Sequence, residues 1–128
     1  MDDQTRKEIE EYLSNARDRI KSAEILKDAG QYSDAISRIY YSLFNAATAA
    51  LLSKKLTAKT HHGLVLLFEE NFVETGIIKP EIGRWLRRSK EAREAADYEV
   101  YKKFDKGTVE AGIKAAKEFV ADIEKIVL

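Results

Sequence analysis

Apolar side chains recur at a helical period through almost all of this chain of 128 residues. Near the start they follow steps of four and three, at Ile9, Leu13, Ala16, Ile20 and Ala23. This spacing places them on one face of an α-helix. No stretch alternates as a strand does, and a single proline and six glycines give few of the turns that a sheet needs. The sequence therefore predicts an all-α fold in a single domain over residues 1–128.

Capping and helix-breaking residues divide this pattern into an up-and-down antiparallel bundle of about five helices. Short connections between consecutive helices favour that arrangement. We predict helices over residues 5–29, 33–54, 60–76, 80–100 and 108–127. Their limits are set by Gly30 as a C-terminal cap, by Ser33, Thr60 and Thr108 as N-terminal caps, and by Pro80 in a first turn.

Composition excludes several classes of function. Lys plus Arg equals Asp plus Glu at 22 each, so the bulk charge favours neither nucleic acid nor membrane, and any binding must rest on local charge. The absence of cysteine excludes disulfides and thiolate metal sites. The polar start and the short longest apolar run, AATAALL, predict neither a signal peptide nor a membrane span. We expect a cytoplasmic protein without cofactor.

The second predicted helix is apolar over more than one face, so we expect it to be the central, most buried helix. A narrow polar line nevertheless runs along it, through Arg38, Ser42 and Asn45, with Tyr41 beside it. A buried polar group without a hydrogen bond costs about 1–3 kcal/mol, so this line needs partners. Either another helix provides them, or the line faces a cleft.

The fourth predicted helix offers those partners. Arg93 and Asp97 lie four residues apart and share a face, followed by Tyr98. If this face turns towards the second helix, Asp97 could form an ion pair with Arg38, and Arg93 could reach Tyr41 or Asn45. We take Arg93, Asp97 and Tyr98 as candidate catalytic residues. The candidate residues for binding nucleotide or RNA are Arg38, Tyr41, Asn45, Arg88, Arg93 and Tyr98.

Two further groups on and after this helix have alternative interpretations. Five cations fall within ten residues, at Arg84, Arg87, Arg88, Lys90 and Arg93. They form either a solvated helix face or a set of phosphate contacts. The aromatic residues that follow either stack bases or, as we favour, clamp the helix end to the bundle. They are Tyr98, Tyr101 and Phe104.

The two histidines, His61 and His62, are adjacent at the start of the third predicted helix. Adjacent residues point about 100° apart on a helix, so the pair does not chelate a metal as an i, i+4 pair would. We expect both to be solvated or to cap the helix, and we predict no metal site.

Four segments in order resemble those of HEPN-domain proteins, small prokaryotic helical proteins often encoded beside minimal nucleotidyltransferases. The first segment runs from Ala23 in the first helix through Ile36 in the second. The other three are SRIYYSLFNAATAALL, KTHHGLVLLF and REAADY. The resemblance extends over nearly the whole chain.

The resemblance implies a helical bundle that usually dimerises. Many members are ribonuclease toxins, and others are accessory subunits or modules that bind nucleotide or RNA. The nuclease members carry an arginine and a histidine with four to six residues between them, and two such motifs form a metal-independent active site at the dimer interface. Arg93 matches the arginine. The histidine positions hold Tyr98, Glu99 and Val100, and tyrosine, with its pKa of about 10, exchanges protons poorly near neutrality.

We therefore expect a weakly active or non-catalytic HEPN-like module that binds nucleotide or RNA and acts with a nucleotidyltransferase in a toxin–antitoxin-like system. The alternatives are a metal-independent endoribonuclease toxin and a purely structural homodimer. We expect a dimer around the second and fourth helices, because the second has more apolar surface than one chain can cover. The predicted core includes Ile39, Leu43, Phe44, Ala47, Leu67 and Phe119.

Overall fold

The computed structural model describes all 128 residues and contains five α-helices without any strand. The all-α prediction is confirmed. The helices are α1 (Asp3–Asp28), α2 (Tyr32–Ser53), α3 (His61–Phe68), α4 (Pro80–Tyr98) and α5 (Lys106–Val127). No helix is both long enough and apolar enough to cross a membrane.

The predicted helices are all present, but two of the predicted caps are wrong. Ser33 lies inside α2, whose N-cap is Gln31 without a side-chain hydrogen bond. Thr108 lies inside α5, and its backbone N–H donates to Asp105 Oδ1 at 2.7 Å, so the aspartate is the cap. Carboxylates suit this position because they accept from free amides at a helix start.

Three other predicted limits agree with the structure, and one of them is Pro80 in the first turn of α4. Thr60 caps α3, and its hydroxyl accepts from the backbone N–H of Gly63 at 2.9 Å. Gly30 follows α1 with a φ of 76°, a left-handed conformation that glycine adopts without strain.

The third predicted helix changes its hydrogen-bonding pattern along its length. After α3 the chain continues as a π-helical turn, Glu69–Val73. The turn carries the buried Phe72 into the core and presents Glu69 to α4, where Arg87 donates to it through both Nε and Nη2. Val73 of the turn packs directly on Gly83 of α4, where any Cβ would collide with the valine methyl. This close approach ties α3 and its extension to α4.

Helix α2 is the centre of the bundle and packs against α1, α3, α4 and α5. Its buried side chains join a core of 27 residues. Ile39, Leu43, Ala47 and Phe119 lie in this core as predicted. Phe44 and Leu67 do not: both are partly buried and pack against its edge. The other helices of the same chain cover most of α2 and leave side chains such as Tyr41 and Phe44 partly exposed.

The two phenylalanines give a matched test of this core. Phe119 is fully buried, so Phe119→Ala should lower the free energy of unfolding by about 3–5 kcal/mol, the usual cost of a large buried cavity. Phe44→Ala should cost clearly less, because part of that ring is already in contact with water. Urea denaturation followed by circular dichroism measures both. Equal losses would contradict the placement of Phe44 at the core edge.

Candidate functional site

Arg93 lies at the centre of a cluster of polar and aromatic side chains from α2, α3 and α4. We call this set the Arg93 cluster. It consists of Ser37, Tyr40, Tyr41, His61, Arg93 and Asp97. The close packing of α2 against α4 brings these residues together, because the small residues of α4, such as Ala92 and Ala96, pack against the core.

The guanidinium of Arg93 rests on two tyrosine rings of α2. Its Cζ lies 5.3 Å from the ring centre of Tyr40 and 5.9 Å from that of Tyr41. The side chain is only 15% exposed, so the cation has lost much of its hydration. Attraction between a cation and aromatic faces, which grows as water is removed, offsets part of that loss. The structure therefore supports the predicted approach of Arg93 to Tyr41.

Most hydrogen-bonding capacity of Arg93 is unused within the chain. Nη1 donates to Asp97 Oδ2 at 3.0 Å, whereas the buried Nε has no acceptor. Nη2 has no acceptor either, and it is not buried, so solvent or a ligand can reach it. Burial alone would lower the pKa of Arg93, but the hydrogen bond and the charge of Asp97 help to raise it, so the group stays cationic. Arg93 is thus a fixed, incompletely paired positive charge.

Asp97 orients this arginine and joins α4 to α2. Besides Arg93, its Oδ1 accepts from the hydroxyl of Ser37 at 3.1 Å. The predicted pair between Asp97 and Arg38 is wrong, because Arg38 is exposed and forms no ion pair. A short serine hydroxyl, one residue before Arg38, occupies the position expected for the long side chain.

The polar line along α2 satisfies its own hydrogen bonds. The buried hydroxyl of Ser42 donates to the carbonyl of Ile39 at 2.7 Å, and Asn45 Nδ2 donates to the carbonyl of Tyr41 at 2.7 Å. Neither explanation offered from the sequence is right for these two residues, since neither another helix nor a cleft provides the partner. Side chains of this kind commonly bond to carbonyls three or four residues back.

Two other predicted site residues lie apart from the Arg93 cluster. Arg88 borders a groove of about 160 Å³ between α2, α4 and α5, together with Ile36, Trp85 and Gly112. It is the only one of the five cations on α4 without a carboxylate partner. Tyr98 is 75% exposed at the end of α4.

The aromatic residues at and after the end of α4 do not clamp the helix end as a group. Tyr98 and Tyr101 are 75% and 94% exposed, so the clamp is wrong for both. Only Phe104 packs against the core.

The sequence reasoning missed Tyr40 and His61. Tyr40 is fully buried, and its hydroxyl lies 2.6 Å from Nδ1 of His61. The imidazole also stacks on Phe44, with ring centres 4.5 Å apart. His61 is therefore half-buried, contrary to its predicted solvated or capping role, whereas His62 is exposed. The available signal was Tyr40 itself, because a phenol on the most apolar helix needs a hydrogen-bond partner.

No group of three or more histidine, aspartate or glutamate side chains is placed to hold a metal ion. The chemistry of the Arg93 cluster is that of one fixed cation, two polar groups on its flanks and a wall of aromatic rings. Such a set can bind an oxyanion beside a flat ring.

The exposure of Asp97 predicts how the protein responds to the loss of its charge. Asp97 is 38% exposed but its partner Arg93 only 15%, so Asp97→Asn should lower the free energy of unfolding by about 1 kcal/mol, more than for a fully exposed pair four residues apart. Asp18→Asn, at an exposed position of α1, is the matched control. Thermal melts of both variants measure the effect. A loss of about 3 kcal/mol or more, the cost of leaving a buried charge without its partner, would assign Asp97 a purely structural role.

Comparison with known proteins agrees with this architecture. The family model described as the HEPN domain matches residues 9–126. A UPF0332 protein of Thermotoga maritima is 34% identical over 93% of this chain and 90% of its own length. A protein of Methanocaldococcus jannaschii named "Putative toxin MJ0605" is 36% identical over 94% of this chain and 89% of its own. A UPF0332 protein of Archaeoglobus fulgidus is 32% identical over 88% and 90%.

These matches include both the α2 segment and the REAADY segment, on which the Arg93 cluster is built. The resemblance inferred from the sequence is thereby confirmed, and the chain belongs to the HEPN domain family.

Proposed function

We propose that this HEPN domain binds nucleotide or RNA through a phosphate held by Arg93, and acts with a nucleotidyltransferase partner in a toxin–antitoxin-like system. The observation that carries the proposal is the state of Arg93. Its guanidinium is largely dehydrated, oriented by Asp97, supported by two tyrosine rings, and left with a reachable Nη2 donor. Phosphate oxygens are preferred acceptors for such a donor.

Other arginines of α4 are less suited to this role. Arg87 donates to Glu69 through both Nε and Nη2. Arg84 lies 3.9 Å from Glu81 in a highly exposed pair. A surface pair of that kind contributes little and leaves the cation in contact with water. Arg93 alone combines partial dehydration with aromatic support.

The same geometry argues that the module is weakly catalytic or non-catalytic. Tyr98 occupies the first position at which the family motif calls for histidine, and it is 75% exposed outside the Arg93 cluster. A general base must lie within hydrogen-bond reach of the proton that it removes. Asp97 is engaged by Arg93 and Ser37, which leaves it suited to orientation. The family membership and the toxin name of one relative support a place in a two-protein system.

Removing the arginine tests this proposal. Arg93→Ala should weaken binding of a fluorescent 2′-O-methyl RNA oligonucleotide about tenfold or more, since a hydrogen bond to a charged group contributes about 1.5–3 kcal/mol. The difference from the parent should shrink as salt rises, because screening weakens the charge contribution. Fluorescence anisotropy measures both effects.

Arg84→Ala is the matched control, because it removes the same charge from the exposed side of the same helix. Equal losses in the two variants would mean that only bulk charge matters. Metal-independent cleavage of unmodified RNA by the parent protein in EDTA would promote the ribonuclease alternative. Co-purification with a minimal nucleotidyltransferase encoded beside the gene would separate the paired system from a purely structural role.

A homodimer is also part of the proposal. The groove between α2, α4 and α5 is lined by the half-buried Trp85 and by the small residues Ser89 and Ala92. A second copy could pack closely there. Ala92→Glu should then convert a dimer into a monomer at micromolar concentration, as measured by sedimentation velocity. Ala121→Glu, on the exposed face of α5, should leave the dimer intact. A monomeric parent, or a dimeric Ala92→Glu variant, would contradict this interface.

A further inference from the structure

The imidazole of His61 is fixed by contacts on three sides. Its ring stacks on Phe44 and meets Tyr41 edge-on, with ring centres 6.2 Å apart. Its Nδ1 lies 2.6 Å from the hydroxyl of Tyr40, which has no other hydrogen-bond partner. The ring therefore cannot flip, which would exchange the positions of Nδ1 and Nε2, without losing these contacts.

The hydrogen bond to Tyr40 determines which nitrogen carries the proton. A phenol is a good donor and a neutral imidazole nitrogen a good acceptor, so Tyr40 donates and Nδ1 accepts. The proton of the neutral ring then resides on Nε2. This nitrogen has no partner within the chain and is not buried, so it is an N–H donor open to the surroundings.

This donor and Arg93 flank the same tyrosine. The ring centre of His61 lies 5.7 Å from that of Tyr40, and Cζ of Arg93 lies 5.3 Å from it. Both groups also approach Tyr41, at 6.2 and 5.9 Å. The neighbouring charges that act on His61 come from α4: they are Arg93, Lys90 and Glu94, the last two joined in an ion pair. The tyrosines of α2 complete its surroundings.

The surroundings also keep the imidazole neutral. Burial is the main reason that the pKa of His61 lies below its ordinary value, and the positive charges of Arg93 and Lys90 act in the same direction. Glu94 opposes them but is paired with Lys90. A second proton on Nδ1 would moreover face the hydroxyl hydrogen of Tyr40, which has no other acceptor to turn to. A neutral ring avoids repulsion with Arg93.

We propose that His61 is a second phosphate-binding residue, which donates its Nε2–H as a neutral group beside the guanidinium of Arg93, with Tyr40 fixing its tautomer. The ligand is a phosphate group of a nucleotide or RNA, so the inference rests on the proposed function. His61 binds in this role and does not act as a general base. Its reachable Nε2 already carries a proton, and the lone pair of Nδ1 accepts the hydrogen bond from Tyr40. Binding by such a donor needs no proton uptake.

The tautomer can be measured on the full chain without any ligand. Long-range proton–nitrogen NMR spectra at about pH 7.5 should show His61 with a protonated Nε2 and an unprotonated Nδ1, and the ring should stay neutral to lower pH than an ordinary histidine with its pKa of about 6.5. Tyr40→Phe should release the tautomer, so that the proton of the neutral ring is shared between Nδ1 and Nε2. His62 serves as the internal control. A proton on Nδ1, or a charged ring at neutral pH, would overturn the proposal.

Binding provides the second measurement, with the 2′-O-methyl RNA oligonucleotide as probe. His61→Ala should weaken its binding roughly tenfold, a typical loss for a hydrogen bond to a charged group. His61→Gln, which retains an N–H donor, should recover part of that loss, and His62→Ala should bind as the parent does. Parent affinity should stay nearly constant from about pH 8 down to 6, because the neutral ring donates its Nε2–H without taking up a proton.

The two proposals fail in different ways. If Arg93→Ala weakens binding but His61→Ala does not, the role of His61 is wrong and that of Arg93 stands. If parent affinity rises steeply as pH falls, with the dependence removed by His61→Ala, then His61 binds as a cation and the neutral donor is wrong. If the parent shows no binding at all, both proposals fall together.

Discussion

Burial of α2 by all the other helices is the constraint on which this structure depends. Residues such as Leu43 and Ala47 make most of the helix surface apolar, so water must be excluded from most of it, and only the side that carries Arg38 stays exposed. That requirement brings α4 close enough to place Arg93 on two tyrosine rings, and brings the start of α3 to Tyr40. The candidate site is thus a product of core packing.

The polar groups of the Arg93 cluster divide into those that are satisfied and those that are not. Ser37, Asp97 and Tyr40 each find a partner within the chain. Arg93 and His61 retain reachable donors. Only Nε of Arg93 is buried without an acceptor, a state that is uncommon because an unmet hydrogen bond lowers stability. The reachable donors on the neighbouring side chains of Arg93 and His61 are the reason to assign them a shared anionic ligand.

Sequence reasoning recovered the helices and part of the site, for identifiable physical reasons. Local periodicity determines where helices lie, and the i, i+4 geometry of Arg93 and Asp97 is a property of any helix. The cap at Asp105 was missed because several polar residues near a helix start can each accept from its free amides. The partial exposure of Phe44 could not be predicted either, because periodicity shows which face of a helix is apolar but not how far burial extends across that face.

The larger omission was His61, and it has a different cause. Its partner Tyr40 lies 21 residues earlier in the chain, so no local rule connects them. The contact arises only when the loop after α2 returns α3 to the bundle. Arg38 shows the opposite error. Its charge made it the expected partner of Asp97, but the hydroxyl of Ser37 donates to that carboxylate instead. Pairing across helices depends on rotation about each helix axis, which a single sequence leaves undetermined.

The close contact between Gly83 and Val73 has a consequence for mutational surveys. Alanine in place of a helical glycine usually raises stability, but here its methyl group would force α4 away from the π-helical turn. The turn is continuous with α3, whose first residue is His61. A substitution at Gly83 would therefore disturb the contact between α4, which carries Arg93, and the segment that begins at His61. Loss of function at Gly83 would then not mean that this residue touches a ligand.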